Sequence, residues 1–215
     1  DHPDIEYICP LHEAVAGFAG EGYSQITNNF GFVCTTSGPG LQNVCVAIAN
    51  GWYSGTPIFF ISGQVSSKFM RPTPEMRQLG FQECCVTDIT RPITKYSVLV
   101  TDPTKIRYEM EKCYHLMMCD GRKGPVHLDV TLDCQKQEID PENLSGYNPP
   151  VKISNPSTID DFLQNFLQSL QTAKRPLIVV GGGCQNSKVL DLIKKWKIPA
   201  ACTWNAIDVI TNDFE

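Results

Sequence analysis

Apolar positions along this chain alternate between two rhythms, and that alternation predicts the fold class. Residues 6–9 read as a strand. Residues 12–27 carry Val15, Phe18, Ala19 and Tyr23 near helical spacing, which predicts a helix. Residues 30–36 form the next strand pattern, and residues 41–53 the next helix, with Val44, Ala47, Ile48 and Trp52 along one side. Residues 57–62 are a short continuous apolar run, the kind buried on both faces of a parallel sheet. A long polar stretch, 63–84, follows, and loops of that length in compact domains are usually functional or disordered. Residues 95–100 and 126–130 read as two further strands. Between them, Pro103 at a first helical position follows the capping candidates Thr101 and Asp102 and opens a helix over 104–119. Repeated strand-then-helix units of this length predict an α/β fold, a parallel sheet flanked by helices.

Periodicity fails over 131–156, where Pro141, Pro149, Pro150 and Pro156 fall. A second α/β unit then begins. Its helix over 157–172 has Ser157 as a cap and Ile159, Phe162, Phe166, Leu167 and Leu170 as its apolar side. A strand at 176–180, a Gly181-Gly182-Gly183 turn, a helix at 187–196 and a strand at 199–203 complete a Rossmann-like βαβ. The reading is a first domain over 1–135, a linker over 136–156 and the start of a second domain over 157–215. The abrupt opening on an interior-type strand and the equally abrupt end predict an excerpt of a longer protein.

Composition narrows the function. The 215 residues carry a net charge of −5, 42% hydrophobic and 19% charged residues, which suits a globular protein with a core. That charge disfavours nucleic acid and anionic membranes as partners. The longest apolar runs are far too short to span a bilayer, and no leader pattern opens the chain. Ten cysteines show no C-x-x-C pair; they read as free thiols in a reducing cytoplasm, and Cys84-Cys85 as packing. His2, His115 and His127 lack metal-site spacing, so no metal ligands are expected in this stretch.

The richest local pattern is Thr35-Thr36-Ser37-Gly38-Pro39-Gly40-Leu41-Gln42-Asn43. A strand runs there into a tight turn and a helix start. Glycine brings bare backbone close to whatever sits above the sheet edge, and in open α/β sheets ligands bind at that edge. A turn that only packs is the competing reading. Around it lie His12-Glu13 at a helix start, Gly20-Glu21-Gly22-Tyr23, Gly63-Gln64-Val65, Phe81-Gln82-Glu83, Arg91-Pro92-Ile93-Thr94-Lys95, Gly121-Arg122-Lys123-Gly124-Pro125-Val126 and Arg175-Pro176-Leu177. In this order the series resembles the thiamine-diphosphate enzymes of the acetolactate synthase type. It is similar to their pyrimidine-binding domain, lacking its first elements, followed by the opening of their central domain.

That resemblance implies a lyase or carboligase whose cofactor, thiamine diphosphate, supplies the carbanion chemistry. Glu13 matches the glutamate that touches the pyrimidine ring nitrogen; alone, it would read as a helix-dipole partner. A semi-buried site with a raised pKa suits that duty, whereas a helix start favours the anion. Gly38, Pro39, Gly40 and Asn43 match positions around the pyrimidine, with a simple helix-start residue as the competing reading of Asn43. Gln82 matches the glutamine on the substrate side of the cofactor, and Phe81 a wall of the substrate pocket. His12 is either an assisting group or a cap. The family's diphosphate domain, whose Gly-Asp-Gly…Asn motif holds Mg²⁺, has no counterpart here, so Mg²⁺ ligands are expected outside this stretch. The family site lies between two subunits, which implies a homodimer or homotetramer. FAD is left open.

Departures broaden the substrate. Ala14 replaces the family's usual glutamine after His-Glu, Leu41-Gln42-Asn43 replaces Ala-Thr-Asn, and Gly80 replaces the alanine before Phe81. Residues 77–83 and Thr203-Trp204-Asn205-Ala206 are more similar to relatives in surface-polysaccharide biosynthesis. The substrate is therefore a 2-oxo acid or a sugar-derived compound. The alternative is a non-catalytic truncated relative acting as a partner or scaffold chain. A dinucleotide site at Gly181-Gly182-Gly183 ranks last, because no G-x-G-x-x-G follows Val180.

Overall fold

A computed structural model describes residues 3–151, 156–184, 187–207 and 209. The chain divides into two compact units, Asp1–Pro150 and Val151–Glu215.

In the first unit, helix α1 (Glu13–Thr27) precedes strand β1 (Gly31–Thr35), and α2 (Pro39–Ser54) leads into β2 (Ile58–Gln64). The short α3 (Val86–Thr90) precedes β3 (Tyr96–Val100). Then come α4 (Ile106–Met118), β4 (Val126–Thr131) and a single turn, α5 (Leu132–Gln135). The four strands form one parallel sheet in the order β1-β2-β4-β3. Strand β4 is buried along its whole length, because it is an inner strand with helices over both faces.

Alternation along the strands sorts the core onto those faces. Val33, Ile58 and Phe60 pack with Leu41, Val44 and Ile48 of α2 and Val86 of α3. Phe59, Val126, Leu128 and Val130 pack with Cys113 and Met117 of α4. Helix α1 lies close against β1 because Gly20 and Gly31 meet there; a Cβ on Gly31 would stand 2.1 Å from the Gly20 carbonyl oxygen. Glu21, 6% exposed, staples α1 to α2: both its carboxylate oxygens accept from Asn50 Nδ2 at 2.8 Å. Capping follows its chemistry: Asp102 accepts from Thr104 N ahead of the Pro103–Lys105 3₁₀ turn that opens α4.

Residues 6–9 do not form the expected strand. Ile8 is 91% exposed, and no strand of the sheet pairs with this segment. An apolar run becomes a strand only where a neighbour takes up its N–H and C=O groups. Helices α3 and α5 fall in stretches whose apolar spacing is too short to signal them.

In the second unit, α6 (Pro156–Thr172) precedes β5 (Ile178–Val180), α7 (Ser187–Trp196) and β6 (Ala200–Cys202). β5 and β6 pair in parallel, and Val180, Ile193 and Ala206 form a small core. The Ser157 side chain, expected as a cap, and Gln185-Asn186 after the triple glycine lie outside the described residues.

All ten cysteines are free thiols. Burial pushes the Cys113 thiol up to about 12, which makes it inert packing. Among the described residues, no helix is long and apolar enough to cross a membrane.

Candidate active site

Two helix starts meet at the carboxyl end of the sheet. His12 caps α1, its Nδ1 accepting from Ala14 N at 3.1 Å; the ring is therefore a cap, with Nδ1 unprotonated. Glu13 follows in the first turn. Its Oε2 accepts from Nδ2 of Asn43, the fifth residue of α2, at 3.0 Å. That amide, with the backbone at the helix start, holds the Glu13 carboxyl below the usual glutamate range, against a slight upward push from burial. The raised pKa that suits pyrimidine contact is absent from the chain by itself. Here the hydrogen bond and helix start outweigh burial, because the residue is only half-buried.

The turn before α2 brings two further expected residues together. Gly38 has φ 55° and ψ −107°, a conformation closed to side chains. Its missing Cβ is what lets Gln82 approach: a Cβ there would stand 2.2 Å from the Gln82 carbonyl oxygen. Gln82 itself has φ 64°, a left-handed conformation that a non-glycine residue adopts only when its surroundings impose it. Pro39 is exposed at the first position of α2, and Gly40 is buried against the Thr36 side chain.

Beside this turn, the ends of β1 and β2 and the long loop enclose a cleft of about 560 Å³. Its walls include Ser37, Gln64, Phe69, Leu79, Phe81 and Gln135. Phe81 lines it with 87% of its surface exposed. Glu13, Asn43 and Gln82 are not among the lining residues; they sit along the neighbouring turn and helix starts.

Behind the cleft runs a buried polar chain on the α2 face of the sheet. Ser62 Oγ donates to Asp129 Oδ1 at 2.5 Å and lies 2.8 Å from His127 Nε2. Gln64 Nε2 donates to Asp129 Oδ2 at 2.9 Å and to the Cys84 carbonyl at 2.8 Å. His127 Nδ1 meets Thr90 Oγ1 at 2.9 Å. Since the Ser62 proton goes to Asp129, His127 donates from Nε2 and accepts at Nδ1. Serine, histidine and aspartate stand together here without forming a hydrolytic triad, in which histidine must bridge the other two and take the serine proton. Gln64 was visible in Gly63-Gln64-Val65. The rest had one signal, the alternation of His127, Asp129 and Thr131 with apolar residues in a strand of otherwise buried character.

Burial pushes Asp129 up to about 6, against the hydrogen bonds from Ser62 and Gln64, and pushes His127 down to about 3. The two act oppositely on stability. Asp129 is protonated more readily folded than unfolded, so its contribution falls as pH rises from 4 through 6. His127 resists protonation when folded, so its contribution falls as pH drops from 6.5 towards 3. Asp129→Asn isolates the first effect. The wild type should weaken relative to this variant by about 2 kcal/mol between pH 4 and 7, read from urea unfolding at each pH.

Among the described residues, no group of three or more His, Cys, Asp or Glu side chains could hold a metal ion. A family model, thiamine pyrophosphate enzyme, N-terminal TPP binding domain, matches residues 1–89. The chain is 31% identical over 203 residues to the acetolactate synthase large subunit of Lactococcus lactis subsp. lactis, covering 93% of this chain and 34% of that protein. Over most of its length the chain is similar to the thiamine-diphosphate enzymes of the acetolactate synthase type.

Other acetolactate synthases match similarly. The acetolactate synthase large subunit of Corynebacterium glutamicum is 34% identical over 184 residues, which are 83% of this chain and 28% of that protein. Acetolactate synthase 2, chloroplastic, of Nicotiana tabacum is 32% identical over 207 residues, 93% of this chain and 30% of that protein. The chain thus spans about a third of the length of these curated relatives. The matched thiamine pyrophosphate region contains α1, β1, α2, β2 and the whole cleft loop. Glu13, Gly38, Asn43, Phe81 and Gln82 all fall within it.

Proposed function

We propose that this chain supplies the pyrimidine-facing half of a thiamine-diphosphate site in a carboligase or lyase acting on a 2-oxo acid or sugar-derived substrate. The observation that carries this reading is the Glu13–Asn43 hydrogen bond across the starts of α1 and α2, beside the bare Gly38 turn. A carboxylate with an amide alongside matches the donor and acceptor edge of an aminopyrimidine, so these residues fit that end of the cofactor. When bound, thiamine diphosphate supplies a carbanion that attacks a carbonyl carbon. Glu13 would accept a hydrogen bond from the pyrimidine ring nitrogen in its protonated form, and Asn43 would orient the carboxylate. Gly38 admits Gln82 to the turn and Gly40 packs on Thr36, so the two glycines would shape the turn beside the ring. Gln82 offers its amide to a carboxylate or carbonyl of the substrate, and Phe81 walls the cleft against water.

We place the ligands of Mg²⁺ and of the diphosphate outside this stretch. A second copy of the chain in a homodimer or homotetramer, a cytoplasmic site of action and optional FAD complete the proposal. The test is an assay of the natural protein that contains this chain, with pyruvate and then a sugar-derived aldehyde as substrates. Turnover that needs both thiamine diphosphate and Mg²⁺ is expected. Turnover indifferent to thiamine diphosphate, or none with either substrate, would overturn the reading.

A further inference from the structure

Glu83 is only 8% exposed, and its carboxylate is spent on backbone. Oε1 accepts from Arg71 N at 2.6 Å; Oε2 accepts from Leu79 N at 2.6 Å and Gly80 N at 3.4 Å. Those amides stand at the two ends of a surface loop, so one side chain closes it. Burial alone would push this carboxyl up, yet the three amides together outweigh burial and hold it below the usual range. Charge-assisted bonds to backbone N–H groups are among the stronger ones.

The closed loop carries Phe81 and Gln82 between two anchors. On one side, Glu83 N donates back to Gly80 O at 3.1 Å. Gly80 is pressed onto Phe69, where an added Cβ would stand 2.9 Å from the Phe69 carbonyl oxygen. On the other side, Gln64 Nε2 grips the Cys84 carbonyl, and the Gln82 carbonyl abuts Gly38. Phe69, Leu79, Gly80 and Phe81 all line the cleft. Left to itself, Gln82 would leave its left-handed conformation.

We propose that Glu83 is a positioning residue that fixes Phe81 at the cleft and Gln82 against the Gly38 turn by closing the loop from Arg71 to Gly80. It touches neither cofactor nor substrate; its influence on turnover rests on the function proposed above. Glu83→Gln preserves shape but turns an NH₂ group towards a backbone N–H, so at least one of the bonds is lost. Glu83→Asp keeps the charge on a shorter stem.

The experiment compares backbone amide exchange in the wild type, Glu83→Gln and Glu83→Asp, with substrate KM and kcat measured on the same natural protein. In Glu83→Gln, exchange at Arg71, Leu79 and Gly80 should rise about tenfold or more while Phe60 and Leu128 in the sheet stay protected. Substrate KM should rise about fivefold or more, with partial recovery in Glu83→Asp. Unchanged exchange at these three amides overturns the proposal. So does a rise that the sheet amides share, or faster loop exchange with KM and kcat both intact. Glu13→Gln separates the two readings. If it leaves turnover unaffected while Glu83→Gln still frees the loop, the cofactor assignment fails and the clamp stands.

Discussion

Glu13→Gln should lower kcat by about a hundredfold or more and leave the melting temperature of the protein unchanged. The glutamine keeps a carbonyl oxygen for the Asn43 amide, so the hydrogen bond between α1 and α2 survives. What it loses is the negative charge. In the chain by itself that charge is secured by the Asn43 amide and the helix start, which hold the carboxyl below its usual range, so Glu13 is ionised at neutral pH. An ionised group can take a hydrogen bond from a protonated ring nitrogen; an amide oxygen does so far more weakly. Steady-state turnover at saturating thiamine diphosphate, set beside a thermal melt, checks both halves. Full turnover in the variant would remove the basis of the functional proposal.

Gly38→Ala should destabilise the first unit by about 3 kcal/mol. Two independent effects add. A side chain is strained at φ 55° and ψ −107° wherever it sits. The new Cβ would also stand 2.2 Å from a backbone oxygen, that of Gln82, and backbone cannot turn aside as a flexible side chain can. Relief requires the Phe81-Gln82 segment to move away from the turn, so activity should fall with stability. Gly22→Ala is the control, since nothing lies within 4 Å of an added Cβ there and an exposed helical position favours alanine. Urea unfolding should show Gly22→Ala equal to or more stable than the wild type, with Gly38→Ala well below both.

Much of the fold was legible because burial leaves a periodic trace. Strand β2 and helix α2 follow directly from a continuous apolar run and from Val44, Ala47 and Ile48 at helical spacing. Residues 6–9 carry a similar apolar trace and form no strand, since pairing depends on a neighbour that composition does not reveal. Around the site, the individual residues stood out and their relations did not. Glu13 and Asn43 are thirty positions apart in number, and nothing local indicates that their side chains meet. His12, open between an assisting group and a cap, is a cap, because its ring nitrogen lies over the Ala14 amide. In the sequence Glu83 stands out only as the end of Phe81-Gln82-Glu83. Its bonds reach amides up to twelve residues away, a range at which side-chain identity no longer predicts a partner.

By itself, then, the sequence determined the parallel α/β class, the tight turn into a helix at Ser37–Asn43 and the family resemblance, because these rest on local periodicity and short motifs. The tertiary structure decided the charge of Glu13, the seat of Gln82 against Gly38, the Ser62–His127–Asp129 chain and the clamp at Glu83. Each of those depends on through-space distance, and on which groups burial has taken away from water.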